Sequence, residues 1–216
     1  MCVIDGPALH SATRDFTEAY VAEDAILAGA RARAVEVGCV VTLPGAGAAL
    51  RFLAAATRAK SVVEVGTGVG VSGLWLLRGM RPDGVLTSID VEAEHQRLAR
   101  TAFTEAGVAP SRVRLINGRA LEVLPRLADE SYDMVVVDAV KAEYADYLQE
   151  ALRLLRCGGV VAFDNALRGG RVVDPVARDP ESVALRELAR AVRENDRLVP
   201  VMLPVGDGVL AAVRQR

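Results

Sequence analysis

The sequence has few of the features that membrane, disulfide-rich and thiolate-metal proteins depend on. Its 216 residues include three cysteines, Cys2, Cys39 and Cys157, which are too few and too far apart for a disulfide framework or a CxxC zinc site. No run approaches the roughly 18 consecutive apolar residues of a membrane span. The first residues lack the basic start and the apolar run of a secretory signal. These absences predict a cytoplasmic protein that does not enter a membrane.

Neither sign of charge dominates, and lysine is scarce. The 26 basic residues are opposed by 28 acidic ones, which gives a net charge of −2 and predicts no general attraction to nucleic acid or to anionic membranes. Only Lys60 and Lys141 are lysines, and the other basic residues are arginines. Because arginine keeps its proton in proteins whereas lysine can lose it, each lysine is a candidate for proton transfer.

Short apolar runs rich in β-branched residues alternate with helical patterns. The runs predict buried parallel strands at residues 61–66, 85–90, 113–117, 132–139 and 159–164. Helices are predicted after them, at residues 71–81, 92–106, 121–127, 144–155 and 181–195. Such alternation is typical of a doubly wound α/β sheet with right-handed crossovers.

Both ends of the chain depart from this alternation. Residues 198–205 and 209–214 are joined by a connection too short for a crossover, so they predict an antiparallel hairpin that closes a mostly parallel sheet. Residues 13–37, in one or two pieces, and 47–57 are predicted to be helical. We therefore expect a single domain, with a helical extension, residues 1–58, that packs on a core formed by residues 59–216.

Ligands of such sheets bind beyond the carboxyl ends of the strands. The first strand leads into a glycine-rich turn, residues 64–70, which lets a ligand approach the backbone and opens a helix N-terminus. Its acid, Glu64, suits a cationic ligand better than a pyrophosphate, and Asp90 suits the two hydroxyls of a ribose. The G-x-G-x-x-G pattern that begins at Gly68 also satisfies the dinucleotide fingerprint, so a nicotinamide-dependent oxidoreductase is an alternative.

Two carboxylates and an amide follow the fourth and fifth strands. Asp138 ends the fourth strand, and Asp164 with Asn165 ends the fifth, so their oxygens are expected to meet and could hold a hard cation such as Mg²⁺ or Ca²⁺. The alternative is that Asp138 faces a cofactor while the other two cap the next loop. Lys141, three residues after Asp138, is a candidate general base, with a surface lysine as the alternative.

Together these segments resemble the catechol and caffeoyl-CoA type O-methyltransferases, cation-dependent enzymes that use S-adenosylmethionine. The resemblance extends from about Thr42 to the C-terminus. It rests on VVEVGTGVGVSGLWLL, LTSID, LINGRALEVLPRL, YDMVVVDAVKAEYADYL, LLRCGGVVAFDNAL and LPVGDGVLAAVR. An Asp and a Lys followed by Asp-Asn, with the closing PVGDG, separate this family from methyltransferases in general.

The resemblance implies a seven-stranded, Rossmann-like sheet with an antiparallel last strand, a small hydroxylated acceptor and a homodimer. It implies a donor pocket formed by Thr42, Glu64, Gly66, Thr67, Gly68, Ser72, Asp90, Ala120 and Asp138. It makes Asp138, Asp164 and Asn165 ligands of a divalent cation, Mg²⁺ in first place and Ca²⁺ or Mn²⁺ as alternatives. It gives the catalytic roles to Lys141 and Asp138.

The sequence also departs from the pattern of this family. Val140 stands where an acid is usual, Arg168 and Gly169 stand where a Trp and an Asn are usual, and aromatic residues make up only 4% of the chain. Arg168 suggests the hypothesis of an acidic acceptor, and the departures leave a non-catalytic S-adenosylmethionine-binding protein as a further alternative. Arg31 and Arg33 are interpreted as a solvated helix face.

Overall fold

The computed structural model describes residues 11–215; the first ten residues of the predicted extension, with Cys2 and His10, and the last residue lie outside this range. One sheet contains seven strands in the order β3-β2-β1-β4-β5-β7-β6. These strands are β1 (Ser61–Val65), β2 (Val85–Asp90), β3 (Val113–Asn117), β4 (Tyr132–Val137), β5 (Leu155–Phe163), β6 (Leu198–Leu203) and β7 (Val209–Arg214). The first five are parallel, and β7 runs antiparallel to β5 and β6. The predicted α/β fold with its closing hairpin is confirmed.

Eight α-helices in the described part of the chain flank this sheet. They are α1 (Ser11–Ala19), α2 (Ala25–Glu36), α3 (Pro44–Ala56), α4 (Val71–Gly79), α5 (Ala93–Glu105), α6 (Ala120–Val123), α7 (Tyr144–Leu154) and α8 (Pro180–Arg193). The predicted helical segment 13–37 divides in two because Asp24 caps α2, its carboxylate accepting from the backbone N–H groups of Ile26 and Leu27. Between residues 11 and 215, no helix is both long enough and apolar enough to cross a bilayer.

One strand begins earlier than predicted. β5 starts at Leu155, directly after α7, rather than at Gly159. Leu155 pairs with Tyr132, and the register between β4 and β5 then shifts before Val160 pairs with Met134. This irregularity accommodates the extra residues, which include two glycines, and the strand then runs regularly to the edge that carries Asp164.

The order of the strands reverses at β1, and this reversal creates a cleft between the carboxyl ends of β1 and β4. The chain passes close to itself there. Gly66 has φ +96°, and a side-chain carbon at this position would overlap the carbonyl oxygen of Asp138. Only glycine therefore allows β1 to leave the sheet beside β4 in this way.

The carboxylate of Glu18 connects α1 to two other segments of the fold. Glu18 accepts hydrogen bonds from the backbone N–H of Gly45 at 2.7 Å and of Gly206 at 2.6 Å. Gly45 opens α3, and Gly206 lies in the turn between β6 and β7. The next residue in that turn, Asp207, accepts from the N–H of Gly169 at 2.6 Å, in the loop that follows β5. Four separate segments are thus joined around the edge of the cleft.

Candidate active site

A cavity of about 570 Å³ lies at the carboxyl ends of β1, β2 and β4. Eight of the nine residues predicted to bind the donor line it: Thr42, Gly66, Thr67, Gly68, Ser72, Asp90, Ala120 and Asp138. The ninth, Glu64, does not. These residues come from segments far apart in the chain, and the topology of the sheet brings them to one place.

The glycine-rich turn and Asp90 hold each other. The backbone N–H of Gly68 donates to Asp90 Oδ2 at 2.9 Å, and the N–H of Glu92 donates to Asp90 Oδ1 at 2.8 Å. Both carboxylate oxygens are fixed in this way and keep lone pairs that can accept from a ligand's hydroxyls. Gly70, with φ +91°, precedes α4 and provides no side-chain cap. The first N–H groups of α4 are therefore available to a ligand.

Glu64 lies one hydrogen bond behind the surface of the cavity. It is 1% exposed, and it accepts from Ser72 Oγ at 2.7 Å and from Ser88 Oγ at 2.5 Å. Burial raises the pKa of this carboxyl from 4.5 to about 7, against the lowering effect of the two hydroxyls. Since Ser72 lines the cavity and Glu64 does not, Glu64 is linked to the cavity through that hydroxyl.

Thr42 is held in the wall of the cavity by an arginine. Arg31 Nη2 donates to the carbonyl oxygen of Thr42 at 2.6 Å, and the same guanidinium binds both carboxylate oxygens of Glu23, at 2.5 and 2.7 Å. Trp75 Nε1 donates to Glu23 at 3.2 Å. The interpretation of Arg31 and Arg33 as a solvated helix face is therefore wrong, because tertiary contacts engage both side chains, which are 22% and 21% exposed; Arg33 pairs with Glu105.

Asp138, Asp164 and Asn165 meet where β4 and β5 end. The N–H of Asp164 donates to the carbonyl of Val137 at 3.0 Å, which extends the pairing of the two strands by one residue. Asp164 is 1% exposed, and its Oδ2 atom is buried without a hydrogen bond in the described part of the chain. Burial and the charge of Asp138 raise its pKa.

The amide of Asn165 is directed at Asp138. Its nearer terminal atom lies 2.7 Å from Oδ1 and 3.2 Å from Oδ2 of that carboxylate. An amide nitrogen there donates to the carboxylate, whereas an amide oxygen there needs a cation between the two groups. Asn165 also has φ +55°, a costly conformation for a residue other than glycine. Over residues 11–215, no three histidine, cysteine, aspartate or glutamate side chains converge, so the set is two carboxylates and one amide.

Lys141 contacts the same carboxylate. Its Nζ atom donates to Asp138 Oδ1 at 3.0 Å and to the hydroxyl of Tyr144 at 2.5 Å. The lysine begins a single 3₁₀ turn, Lys141–Glu143, between β4 and α7. Its side chain is 14% exposed, unlike that of a surface lysine. Tyr144 is the first residue of the predicted helix 144–155, and in the sequence only its position three residues after Lys141 indicates this contact.

One part of the cavity is lined by residues that were not predicted as site residues. His95, Arg119, Glu143 and Tyr147 line this part. Arg119 Nη2 donates to Glu143 at 3.2 Å, and the hydroxyl of Tyr147 donates to the same carboxylate. Nothing in the local sequence predicts this cluster, because α6 and α7 bring it together from separate crossovers.

The acceptor hypothesis based on Arg168 loses its support. Its guanidinium pairs with Asp179 at 2.8 Å and with Glu181 at 2.5 Å, both at the start of α8. The positive charge is therefore already neutralised within the chain. Val140, the other departure in this region, is 61% exposed at the rim of the cavity.

Three comparisons place the chain among known proteins. A family model described as "O-methyltransferase" matches residues 23–215. A Mycobacterium tuberculosis protein named "Probable O-methyltransferase" is 59% identical over 197 residues, which are 91% of this chain and 88% of that protein. A crystal structure from Corynebacterium glutamicum superposes with a TM-score of 0.87 at 32% identity, covering 95% of this chain and 96% of that one.

The crystal structure of the O-methyltransferase TomG from Streptomyces achromogenes, in complex with S-adenosylmethionine, is also similar. The TM-score is 0.83 at 33% identity, with coverage of 94% of this chain and 95% of TomG. The glycine-rich turn, Asp90 and the carboxylates at the ends of β4 and β5 lie within the matched region. On these grounds the chain belongs to the O-methyltransferase family.

Proposed function

We propose that this protein transfers the methyl group of S-adenosylmethionine to a hydroxyl oxygen of a small catechol-like or phenolic acceptor, with a divalent cation at the acceptor site. The observation that carries the proposal is the position of Asp138. This residue lines the large cavity, and its carboxylate also faces Asn165 and Lys141. One side chain thus borders a donor cavity, a set of oxygen ligands and a candidate base.

The cavity suits the donor. When bound, S-adenosylmethionine supplies a methyl group on a positively charged sulfur, which an oxygen nucleophile can attack. Asp90 offers two fixed carboxylate oxygens to ribose hydroxyls, and the backbone of residues 66–68 can approach the ligand closely. Ser72, with Glu64 behind it, can bind the polar methionyl end. The S-adenosylmethionine in TomG supports this assignment.

The oxygen ligands suit a hard cation. Asp138, Asp164 and Asn165 would hold Mg²⁺, or alternatively Ca²⁺ or Mn²⁺, since carboxylate and amide oxygens are the ligands these ions prefer. The buried Oδ2 atom of Asp164 fits this role, because it accepts no hydrogen bond from residues 11–215. When bound, such an ion draws electron density from a coordinated hydroxyl and lowers its pKa.

Lys141 would receive the proton of the acceptor hydroxyl at Nζ, in the neutral form of the amine. Asp138 and the hydroxyl of Tyr144 keep this nitrogen in place beside the ligand oxygens. The remaining contribution of the protein is positioning, which supplies about 7–11 kcal/mol when two reactants are held in near-attack geometry.

The test is a screen of vicinal diols and flavonoid-like phenols with S-adenosylmethionine labelled in its methyl group. Methyl transfer that needs Mg²⁺ and stops in EDTA supports the proposal. Methyl transfer at full rate in EDTA contradicts the proposed dependence on a cation. Calorimetric titration with S-adenosylmethionine and with NADH tests the donor: tight binding of NADH alone would favour the oxidoreductase alternative. Binding of S-adenosylmethionine without turnover of any acceptor would favour the non-catalytic one.

The homodimer stays a prediction of the resemblance. Sedimentation equilibrium of the purified chain tests it directly, and a single species at the 22.9 kDa of one chain would contradict it.

A further inference from the structure

We propose that Tyr144 is a positioning residue that holds the amino group of Lys141 against Asp138. The inference rests on the proposed function for its kinetic consequence, because only a catalytic lysine makes that position matter for the rate. The positioning itself can be measured without any reaction.

The ring of Tyr144 is a rigid support. Tyr144 is 0% exposed, and its ring packs on Phe163 with centroids 5.3 Å apart and on Tyr147 with centroids 6.2 Å apart. Phe163 is the last residue of β5, and Tyr147 lies one turn further along α7. The ring is therefore fixed between the sheet and its own helix, and it directs its hydroxyl toward the ends of β4 and β5.

The hydroxyl lies between Lys141 and the residues that end β5. It is 2.5 Å from Lys141 Nζ, and 3.5 Å from the carbonyl oxygen of Asp164, to which it donates. A protonated hydroxyl can accept from the ammonium form of lysine and donate to the neutral amine. It can therefore hold Nζ in both states of the proposed proton transfer.

Lysine needs such support more than most residues. Its amino group ends a flexible four-carbon stem, and Lys141 lies in a short 3₁₀ turn without neighbouring helical turns on its N-terminal side. A hydrogen bond to Asp138 alone leaves Nζ free to swing about that contact. The second contact, to a hydroxyl on a buried ring, fixes its direction as well as its distance.

The small number of lysines allows a direct experiment. In protein labelled with ¹³C-lysine, only Lys60 and Lys141 give signals, and NMR relaxation yields an order parameter for each ε-methylene group. Lys60, with a side chain that is 60% exposed, is the mobile reference within the same sample. We expect a high order parameter for Lys141 in the wild type, and a fall toward the value of Lys60 in Tyr144→Phe, which keeps the ring.

Tyr147→Phe is the matched control for this measurement. It removes a hydroxyl from the adjacent ring, but that hydroxyl contacts Glu143 rather than Lys141. Lys141 should therefore stay ordered in this variant. Three results would overturn the proposal. Lys141 could be as mobile as Lys60 in the wild type, its order parameter could be unchanged in Tyr144→Phe, or its order parameter could fall equally in both variants. The comparison of Lys141 with Lys60 in the wild type tests the proposal even if Tyr144→Phe does not fold.

Kinetics then separate this inference from the proposed function. We expect Tyr144→Phe to lower kcat by about 10- to 100-fold, with the affinity for S-adenosylmethionine measured by calorimetry unchanged. A mobile Lys141 with unchanged kcat would leave the positioning by Tyr144 established and would contradict the role of Lys141 as the base. A weaker donor affinity with the same kcat would contradict the inference, because it would assign Tyr144 to the structure of the donor site.

Discussion

Asn165 faces Asp138 at 2.7 Å, amide against carboxylate, across the gap between β4 and β5. The two groups can meet in two ways. Without a cation, the amide nitrogen donates to the carboxylate, 2.7 Å from Oδ1 and 3.2 Å from Oδ2. With the proposed cation bound, the amide would be turned through half a rotation, and both groups would direct oxygen atoms at the ion. Exchange between the two would need the rotation of one side-chain amide and the loss of its hydrogen bonding to Asp138.

Replacement of Asp164 tests whether the protein binds a divalent cation at the proposed site. Asp164→Asn keeps the shape of the side chain but removes the charge, and we expect the binding of Mg²⁺ or Mn²⁺ to be lost together with cation-dependent activity. Affinity for S-adenosylmethionine should change by less than about threefold, since Asp164 does not line the donor cavity. Calorimetric titration with each ion and with the donor measures both.

Asp146→Asn is the matched control for that charge change. Asp146 is exposed on α7, so its loss should leave cation binding intact. If Asp164→Asn binds the cation as tightly as Asp146→Asn does, Asp164 is not a ligand and the proposed cation site is contradicted.

Lys141→Met tests the base. Methionine is of similar length and cannot take a proton, so we expect kcat to fall by about 100- to 10,000-fold, the usual contribution of a general base. Donor affinity should stay within about threefold, because Lys141 does not line the cavity. Lys60→Met, at the exposed lysine, provides the reference activity. Loss of donor binding with an unchanged rate in the remaining complex would show that Lys141 has a different role.

Glu64 predicts a dependence of stability on pH. Its pKa rises from 4.5 to about 7 on folding, so the folded state binds more protons between these values and its stability falls as the pH increases. The loss reaches about 3 kcal/mol above pH 7 for a shift of this size. Glu64→Gln removes the titration: near pH 4 the two proteins should differ least, and at pH 8 the variant should gain most relative to the wild type. Urea unfolding at four pH values tests this, and a difference that does not vary with pH would contradict the buried, raised pKa.

The close approach of Gly66 to the backbone of Asp138 predicts that one added methyl group will strongly destabilise the protein. Gly66→Ala should reduce the free energy of unfolding by about 3–5 kcal/mol, because it combines a strained φ with overlap on the backbone of Asp138. Gly107→Ala isolates the first of these effects: Gly107 has φ +69° with nothing near its would-be side chain, so about 1 kcal/mol is expected there. Equal losses in the two variants, measured by denaturant unfolding, would show that the close approach costs nothing.

Much of this architecture follows from local sequence patterns. The β-branched runs predict the positions of the first five strands. Only three residues separate the last two runs, and so short a connection predicts a hairpin. Because parallel neighbours end at the same edge, the meeting of Asp138 with Asn165 could be predicted from strand order alone. The bounds were less accurate where the pairing is irregular, as at the start of β5.

What the sequence could not predict depends on contacts between distant segments. Arg31 has the spacing of a solvated helix face, and its contact with Thr42 exists only because α2 packs beside the segment before α3. Tyr144 fits a core-facing stripe, and this helical periodicity alone does not show that its hydroxyl meets a lysine. In both cases the periodicity predicts which face of the helix is buried. It does not predict which residue hydrogen-bonds to the polar group at the end of the side chain.

Glu18 makes the N-terminal helix part of the catalytic cleft. The family model matches residues 23–215, so the carboxylate shared by Gly45 and Gly206 lies before the matched region. A protein trimmed to the matched region would leave both backbone amides without their acceptor, one at the start of α3 and one in the final hairpin. Truncations designed from family boundaries would then loosen two walls of the cleft at once, although they remove none of the described residues that line the cavity.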